Sequence, residues 1–290
     1  MANKRAARPR SLAARKRVAQ AKLLDRGTSD HYRDAALYDF EYKDRTDDVR
    51  WYRRLARERS GSSRILELGA GTGRITCRLA EDKHHVVALD RMTEMLEALQ
   101  ERIAGTKLED RIDVVAGDMT ELPVEDGSVG MVIAPFNGLM HLYSWDALLA
   151  CFCEVHRVLE PDGVFAFDVE LPDLAWLNWD PEARHAVTRF VHPHTGEKLV
   201  YSTNHTYDPH TQVCHVRIFY DAAPAAGRRF VPPAKPKKMV HLAHRQIFPE
   251  EIRALVAQAG LTLESLTGDF LGITLRTGVQ SQVVVCTKDA

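Results

Sequence analysis

Three features are scarce in this sequence: unbalanced charge, long apolar runs and paired cysteines. The 39 Lys and Arg residues nearly balance the 40 Asp and Glu residues, so the formal net charge is only −1. The molecule as a whole therefore presents no field that would attract a polyanion. No apolar run approaches the roughly 18 residues that a membrane helix requires, so we expect no membrane partner.

The cysteines are odd in number and scattered along the chain. There are five, at Cys77, Cys151, Cys153, Cys214 and Cys286. This distribution is typical of reduced thiols rather than of a disulfide framework, and it predicts a cytoplasmic location. A single residue separates Cys151 from Cys153, which is not the spacing of a zinc knuckle or a redox pair.

The sequence does show a regular alternation of strand and helix patterns. The chain has 290 residues, 45% of them hydrophobic, which is enough to bury a sizeable core. Short apolar runs end at turn residues, and amphipathic repeats lie between them. This alternation predicts an α/β fold with a mostly parallel sheet that helices cover on both faces. The predicted strands are residues 65–68, 85–90, 112–116, 129–134, 164–169, 261–266 and 282–286.

The central motif is a strand that runs directly into a glycine loop, in residues 64–74. Gly69, Gly71 and Gly73 follow the apolar run, and helical spacing begins at Ile75. Such glycines allow a tight turn, close approach of a ligand to the backbone and close packing of helix on strand. We expect a helix that starts near Gly71 and presents free N–H groups to a ligand.

Details of this loop narrow the ligand. A dinucleotide fingerprint in the same register needs glycine or alanine at position 74, where this chain has Arg74, and the Lys-Ser/Thr pair of a P-loop is missing. Glu67 precedes the loop, a position that suits a cationic ligand better than a pyrophosphate. Asp90 ends the second strand, where a carboxylate can accept hydrogen bonds from both hydroxyls of a ribose.

Four segments in order resemble the successive motifs of class I S-adenosylmethionine-dependent methyltransferases. They are Glu67-Leu-Gly-Ala-Gly-Thr-Gly73, Asp90, Gly117-Asp-Met119 and Ala134-Pro-Phe-Asn-Gly-Leu-Met-His141. The resemblance covers about residues 64–172 and resumes from 245 to 286. It implies a Rossmann-like methyltransferase fold with a mostly parallel seven-stranded sheet, S-adenosyl-L-methionine as cofactor and S-adenosyl-L-homocysteine as product.

The resemblance also implies which residues hold the methionine part of the cofactor. Gly69, Ala70 and Gly71 would line it, and Glu67 would lie beside its ammonium group or support the loop. Ala134, at the end of the fourth strand, would lie near the sulfonium.

The nucleoside part of the cofactor falls to the next two motifs. Asp90 would hold the ribose, and Arg91 or Met92 would lie against the adenine. Asp118 would accept a hydrogen bond from the adenine amino group, and Met119 would add a backbone contact.

A narrower resemblance precedes the glycine loop. Tyr38-Asp-Phe-Glu-Tyr42, then Arg45-Thr46 and a helix through Tyr52, is similar to the N-terminal segment of glycine/sarcosine-type and amino-sugar N-methyltransferases. In that group an arginine ahead of the first strand pairs with the cofactor carboxylate, a role that falls on Arg45. A guanidinium suits it because it can meet a carboxylate with two parallel hydrogen bonds. Tyr38 or Tyr42 would close over the cofactor as a lid.

The strand–helix alternation breaks late in the chain. Alternating β-branched and aromatic residues, separated by turn residues, predict antiparallel hairpins within residues 175–245. We interpret this insertion as a substrate lid or as the contact of a homodimer. Residues 28–174 and 246–290 then form the cofactor-binding domain with a helical N-terminal lid, and residues 1–27 form a basic, flexible arm.

The acceptor is expected between the insertion and the segment that follows the fourth strand. Phe136, Asn137, His141 and Tyr143 are the candidate substrate-binding residues there, and His141 is also the candidate catalytic base. The Asn/Asp-Pro-Pro-Tyr motif of enzymes that methylate nucleic acid bases or protein glutamine is missing. The sequence therefore favours transfer to an amine or hydroxyl of a small molecule by in-line displacement.

Three alternatives stay open. The basic residues within 1–26 could recruit RNA or a protein as the methyl acceptor. The fold could bind S-adenosylmethionine without catalysis, or it could serve another nucleotide-linked enzyme such as an NAD-dependent reductase. The histidine pairs His192-x-His194 and His241-x-x-His244 have no acidic or cysteine partners at ligand spacing, so we expect no metal site.

Overall fold

Two β-sheets organise the chain, one of seven strands and one of four. The structure is a computed structural model that describes residues 11–225 and 227–289. Its strands are β1 (Ile65–Leu68), β2 (Val86–Asp90), β3 (Ile112–Ala116), β4 (Val129–Ala134), β5 (Leu159–Glu170), β6 (His185–Val191), β7 (Lys198–Asp208), β8 (Val213–Ala222), β9 (Lys238–Arg245), β10 (Thr262–Thr267) and β11 (Ser281–Thr287).

Helices cover both faces of the larger sheet and precede it in the chain. None of the helices in the described part of the chain is both long and apolar enough to cross a membrane. The α-helices are α1 (Leu12–Ser29), α2 (Ala35–Tyr42), α3 (Asp47–Arg59), α4 (Thr76–Glu81), α5 (Thr93–Ile103), α6 (Trp145–Val158), α7 (Leu174–Leu177) and α8 (Pro249–Gln258), and short 3-10 helices span Asp30–Arg33, Glu109–Arg111 and Gly138–His141.

The seven-stranded sheet has the order β10-β11-β5-β4-β1-β2-β3. Among its described strands β11 alone runs against the others, since it pairs antiparallel with both β5 and β10. The predicted α/β fold with a mostly parallel seven-stranded sheet is confirmed. The strands after β1 are added on one side and those after β3 on the other, so the order reverses across β1. Ligands of open α/β sheets bind at such a reversal, outside the carboxyl ends of the strands.

The central strands β1 and β4 are buried on both faces along their whole length. Leu66 and Val132 join the apolar cluster that contains α6 and α8. Ile65 and Ile133 point the other way, into the cluster that contains α3. This double burial explains why, apart from Glu67, both strands are built from apolar residues and glycine rather than alternating with polar ones.

The four-stranded sheet, in the order β6-β7-β8-β9, is antiparallel throughout and lies in the predicted insertion. Leu37 of α2 packs on one of its faces against Leu199, Ile218 and Val240. The N-terminal segment therefore lies between the two sheets, where it can cover a site at the edge of the larger one.

The segment that the sequence suggests as a basic arm is helical where it is described. Its residues 1–10 lie outside the described residues, and most of the rest forms α1. The end of α1 packs closely on β9, because a Cβ atom at Gly27 would lie 2.4 Å from the Cβ of Ala243. The hydroxyls of Thr28 and Tyr143 form a 2.7 Å hydrogen bond nearby. The division into arm, domain and insertion stays a prediction.

The helix after the glycine loop starts later than the sequence suggests. It begins at Thr76 rather than near Gly71, because the glycines at 69, 71 and 73 keep positive φ angles that a helix cannot contain. The N–H of Gly71 is also not free, since it donates to Asp90. We therefore expect a ligand at this loop to meet the side chain of Asp90 rather than a free N–H of Gly71.

Candidate active site

The loops after β1, β2, β3 and β4 enclose a cavity at the carboxyl edge of the larger sheet. The N-terminal segment contributes Thr28, Tyr32 and Tyr38 to the lining of this cavity. We define this first cavity by six further lining residues: Glu67, Gly69, Asp90, Asp118, Phe136 and His141.

The glycine loop adopts a backbone conformation that other residues disfavour. Gly69, Gly71 and Gly73 have φ angles of +73°, +57° and +82°. A Cβ atom at Gly73 would lie 2.3 Å from Leu99 Cδ1, so this glycine lets the loop pack on α5. The N–H of Gly71 donates to Asp90 Oδ2 at 2.8 Å and ties the loop to the end of β2.

Two carboxylates at strand ends line the first cavity. Asp90 accepts from the N–H groups of Gly71 and Met92 at 2.8 Å each, and burial outweighs these bonds and raises its pKa. Asp118 accepts from the N–H and the hydroxyl of Thr120 at 2.8 and 2.7 Å; burial opposes these bonds, but its pKa is lowered. Each carboxylate keeps lone pairs that could accept from hydroxyl or amino groups of a ligand.

Glu67 is an acid enclosed beneath the glycine loop. The residue is only 1% exposed, and its Oε2 accepts a 2.5 Å hydrogen bond from the hydroxyl of Thr76. Burial raises the pKa of Glu67 to about 8, although the bond from Thr76 acts in the opposite direction. The carboxyl is therefore mostly protonated at pH 7, and a cationic group beside it would favour its ionised form.

The turn after β4 holds two residues in the left-handed region. Phe136 and Asn137 have φ angles of +50° and +65°, a conformation that costs on the order of 1 kcal/mol or more for a non-glycine residue. Strand β5 stabilises it, because the carboxylate and the carbonyl of Asp168 accept from the N–H groups of Phe136 and Asn137 at 2.9 and 3.0 Å. The Asn137 side chain accepts from the N–H of Glu170 at 2.8 Å.

A second cavity adjoins the first, between this turn and the four-stranded sheet. Tyr32, Tyr38 and Phe136 line both cavities and form an aromatic wall between them. We define the second cavity by Glu41, Arg45, Asn137, Glu170, Tyr201 and His244.

Two acids give the second cavity its charge character. Burial raises the pKa of Glu41 to about 7, although the carboxyl accepts a 2.7 Å hydrogen bond from the Tyr220 hydroxyl. Burial also raises the pKa of Glu170, whose Oε1 accepts from the Asn137 amide at 3.3 Å. Because burial makes these two carboxyls costly to ionise, a bound cation would stabilise their ionised forms.

Comparison with known proteins shows what the region around the glycine loop resembles. A family model described as a methyltransferase domain matches residues 65–163, which contain the glycine loop and the carboxylates at the ends of β2 and β3. Residues 65–163, called the methyltransferase domain below, therefore match this family model. A structure of an S-adenosylmethionine-dependent methyltransferase from Clostridium acetobutylicum has a TM-score of 0.67 at 15% identity, covering 87% of this chain and 96% of that one.

Relatives in sequence match the methyltransferase domain but not the whole chain. The putative methyltransferase YqeM of Bacillus subtilis is 31% identical over 135 residues, which are 47% of this chain and 53% of that protein. The chain thus spans about half the length of this relative. The similarity therefore concerns the matched region, and not the activity, substrate or partners of the whole protein.

Solved structures extend the likeness to the insertion. The CcbJ methyltransferase from Streptomyces caelestis has a TM-score of 0.68 at 22% identity, covering 84% of this chain and 90% of that one. The sugar N-methyltransferase KedS8 from a Streptoalloteichus species has a TM-score of 0.63 at 21% identity, covering 87% and 93%. At this identity the likeness shows a shared fold.

The methyltransferase domain and the N-terminal segment bring most of the candidate residues together. Tyr42, Arg45 and Asn137 line the second cavity, and Phe136 and Tyr38 line both. The remaining candidates in the lining of the first cavity are Glu67, Gly69, Ala70, Gly71, Asp90, Arg91, Met92, Asp118, Met119 and His141.

Two candidates lie outside both linings as the described residues define them. Ala134 is fully buried at the end of β4. The Tyr143 hydroxyl bonds to the Thr28 hydroxyl and donates to the carbonyl of Ala243 at 3.1 Å, so this side chain joins α1, β9 and the domain. Its environment indicates a packing contact rather than a substrate contact.

Arg45, which is predicted to pair with the cofactor carboxylate, lies beside a second arginine, Arg74. Arg45 lines the second cavity with its guanidinium carbon 4.3 Å from the centre of the Phe136 ring, whereas Arg74 lines the first. Both donate to the buried carboxylate of Asp48, Arg45 at 2.7 Å and Arg74 at 2.8 and 2.7 Å. Burial alone would raise the pKa of Asp48, but these arginines lower it.

His141 is neutral and already hydrogen-bonded in the methyltransferase site. Its Nε2 pairs with the Tyr32 hydroxyl at 2.7 Å, and its Nδ1 lies 3.4 Å from the Tyr143 hydroxyl. Burial, followed by the nearby His244, holds its pKa well below the usual range. A catalytic role for His141 stays a prediction, and the hydrogen bonds favour a positioning role for it.

Sequence reasoning missed several residues in and beside the two cavities. Asp168 had a signal, because an acid inside the apolar run of β5 is unusual unless it is bonded. Arg74 was visible in the glycine motif but served only to exclude a dinucleotide. Glu41, Glu170 and His244 meet through tertiary folding and carry no local signal. Among the described residues, no group of three His, Cys, Asp or Glu residues is placed to hold a metal ion.

Proposed function

We propose that this chain is an S-adenosylmethionine-dependent methyltransferase that methylates an amine of a small molecule. The observation that carries the proposal is the pair of adjoining cavities, one with strand-end carboxylates and the other with two buried acids behind an aromatic wall. The structural likeness to a sugar N-methyltransferase is consistent with an acceptor of this class.

The first cavity fits the parts of the cofactor. The lone pairs of Asp90 suit the ribose hydroxyls, and Asp118 at the end of β3 suits the adenine amino group. Glu67 suits the ammonium group, and Arg74 or Arg45 suits the carboxylate. When bound, this cofactor supplies a sulfonium methyl group whose C–S bond breaks as the acceptor bond forms, the electron pair staying on sulfur.

The second cavity favours an amine over a hydroxyl. A buried carboxyl with a pKa of about 7, such as Glu41, can pair with an ammonium group and can also take its proton. Loss of that proton leaves the neutral amine that methylation requires. The rings of Tyr32, Tyr38 and Phe136 line both cavities, and aromatic faces attract cations.

The test is methyl transfer to matched acceptors that differ only in the reacting group. With the full chain and S-adenosylmethionine, we expect S-adenosylhomocysteine to form with D-glucosamine or another primary amine of a panel, and not with the matching alcohols such as D-glucose. Glu41→Gln should raise the KM for the amine several-fold, whereas the exposed Glu101→Gln should not change it. Transfer to the alcohols, or to RNA or protein instead, would contradict the proposal.

Glu67 should release a proton when the cofactor product binds. Its pKa of about 8 in the free protein lies above neutrality, and the ammonium group of S-adenosylhomocysteine would lower it, so the carboxyl loses its proton on binding at pH 7. Calorimetry in buffers of different ionisation enthalpy should show proton release by the wild-type chain and not by Glu67→Gln. Equal proton release by both proteins would mean that Glu67 only supports the loop.

A further inference from the structure

One polar atom beside the second cavity has no partner inside the protein. His244 lies on β9 and lines this cavity, and its Nε2 is buried without a hydrogen-bond partner among the described residues. Leu242, two residues earlier on the same face of the strand, also lines the cavity. Buried polar atoms are nearly always bonded, so an exception beside a cavity indicates a missing ligand or water.

Several hydrogen-bonding groups near His244 already have partners. His141, whose ring centre lies 4.9 Å away, bonds to Tyr32 through Nε2. Glu41 accepts from Tyr220, and Glu170 accepts from the amide of Asn137. In the tautomer that carries its proton on Nδ1, His244 Nε2 therefore offers a lone pair that a ligand can use without displacing a hydrogen bond within the described residues.

We infer that His244 is a hydrogen-bond acceptor for the N–H of the methyl-accepting amine and orients its lone pair toward the first cavity. The inference rests on the proposed function. A bond from N–H to the imidazole fixes the direction of the amine and leaves its lone pair free for the methyl group. Burial lowers the pKa of His244 to about 4, so the ring stays uncharged and does not repel a sulfonium nearby.

Two analogues of S-adenosylhomocysteine test this contact without needing the natural acceptor. In both, nitrogen replaces the sulfur; one carries a 2-aminoethyl group and the other a propyl group of equal length. The nucleoside and amino acid parts bind the first cavity, and the side arm enters the second. We expect the wild-type chain to prefer the aminoethyl analogue. His244→Phe should reduce that preference by up to about tenfold, the value of one hydrogen bond.

Two further variants separate this contact from a structural effect. His244→Gln keeps an acceptor and should retain part of the preference. His185→Phe removes another unpartnered Nε2 from the same sheet, away from both linings of the described residues, and should retain all of it. In the wild-type chain labelled with ¹⁵N-histidine, the Nε2 resonance of His244 should move upfield with the aminoethyl analogue and not with the propyl one.

The outcomes distinguish the two proposals. An unchanged preference in His244→Phe, or an unmoved resonance, overturns the role of His244 while binding of both analogues supports the proposed function. Failure of both analogues and of S-adenosylhomocysteine to bind overturns the proposed function and the role of His244 with it.

Discussion

Asp90→Ala should raise the dissociation constant of S-adenosylhomocysteine by about 100-fold or more while the chain stays folded. A hydrogen bond to a charged group contributes about 1.5–3 kcal/mol, and loss of the carboxylate would remove the two bonds to the ribose that the proposed function assigns to Asp90. The variant also frees the N–H groups of Gly71 and Met92, which now donate to Asp90, so the glycine loop loses its tie to β2. Titration calorimetry measures the affinity, and circular dichroism checks the fold.

Two variants make the interpretation of Asp90→Ala specific. Asp90→Asn keeps one acceptor oxygen and should give an intermediate loss of affinity. Asp113→Ala removes a carboxylate from the exposed side of β3, the neighbouring strand, and should leave the affinity unchanged. Wild-type affinity in Asp90→Ala would show that the ligand site lies elsewhere and would contradict the assignment of the first cavity.

The elements around the glycine loop were predictable because their patterns are local. Apolar runs such as residues 65–68 and 129–134 must be buried on both faces, and an acid directly after an apolar strand, like Asp90, falls at the carboxyl edge of a parallel sheet. The strands and their class therefore follow from sequence. The start of α4 did not, because three alternating glycines delay the helix by a backbone conformation that spacing alone does not reveal.

The second cavity could not be predicted because its residues are distant in sequence. Glu41, Glu170 and His244 come from α2, β5 and β9 and meet only after both sheets have formed. The sequence predicts an acceptor between the insertion and the segment after β4; the second cavity lies there, and its binding of the acceptor stays a prediction. It did not indicate Glu41 or Glu170, because an acid on a helix or at a strand end is usually solvated and gives no sign of burial.

The pairing of Arg45 with Arg74 could not be predicted for the same reason, because the two residues are distant in sequence. Arg45 and Arg74 are 29 positions apart, yet the buried carboxylate of Asp48 holds both beside the ring of Phe136. The sequence motif assigns only Arg45 to the cofactor carboxylate, whereas the buried carboxylate of Asp48 orients both Arg45 and Arg74. The pair therefore frames the aromatic wall from the side of α3, and either guanidinium can serve an anionic group of a ligand.

Asp168→Ala should lower the free energy of unfolding by about 3 kcal/mol or more, because it leaves two buried donors without an acceptor. In the wild-type chain Asp168 Oδ1 accepts from the Tyr52 hydroxyl at 2.8 Å and from the N–H of Phe136 at 2.9 Å. Its Oδ2 also faces Arg45 at 3.5 Å. The turn at Phe136 and Asn137 would then lose the bond that offsets its strain, so methyl transfer should fall as well. Urea unfolding measures the loss of stability.

Asp168→Asn distinguishes the charge of this group from its hydrogen bonds. The amide keeps an acceptor for Tyr52 and Phe136, so the loss of stability should be smaller than in Asp168→Ala. Burial raises the pKa of Asp168 to about 6, above its unfolded value, so ionisation costs the folded state free energy. The wild-type chain should therefore lose stability relative to Asp168→Asn as the pH rises from about 4 to about 6. A stability difference that stays constant over this range would show that the carboxyl ionises as easily in the folded chain as in the unfolded one, and that Arg45 and the N–H of Phe136 offset its burial.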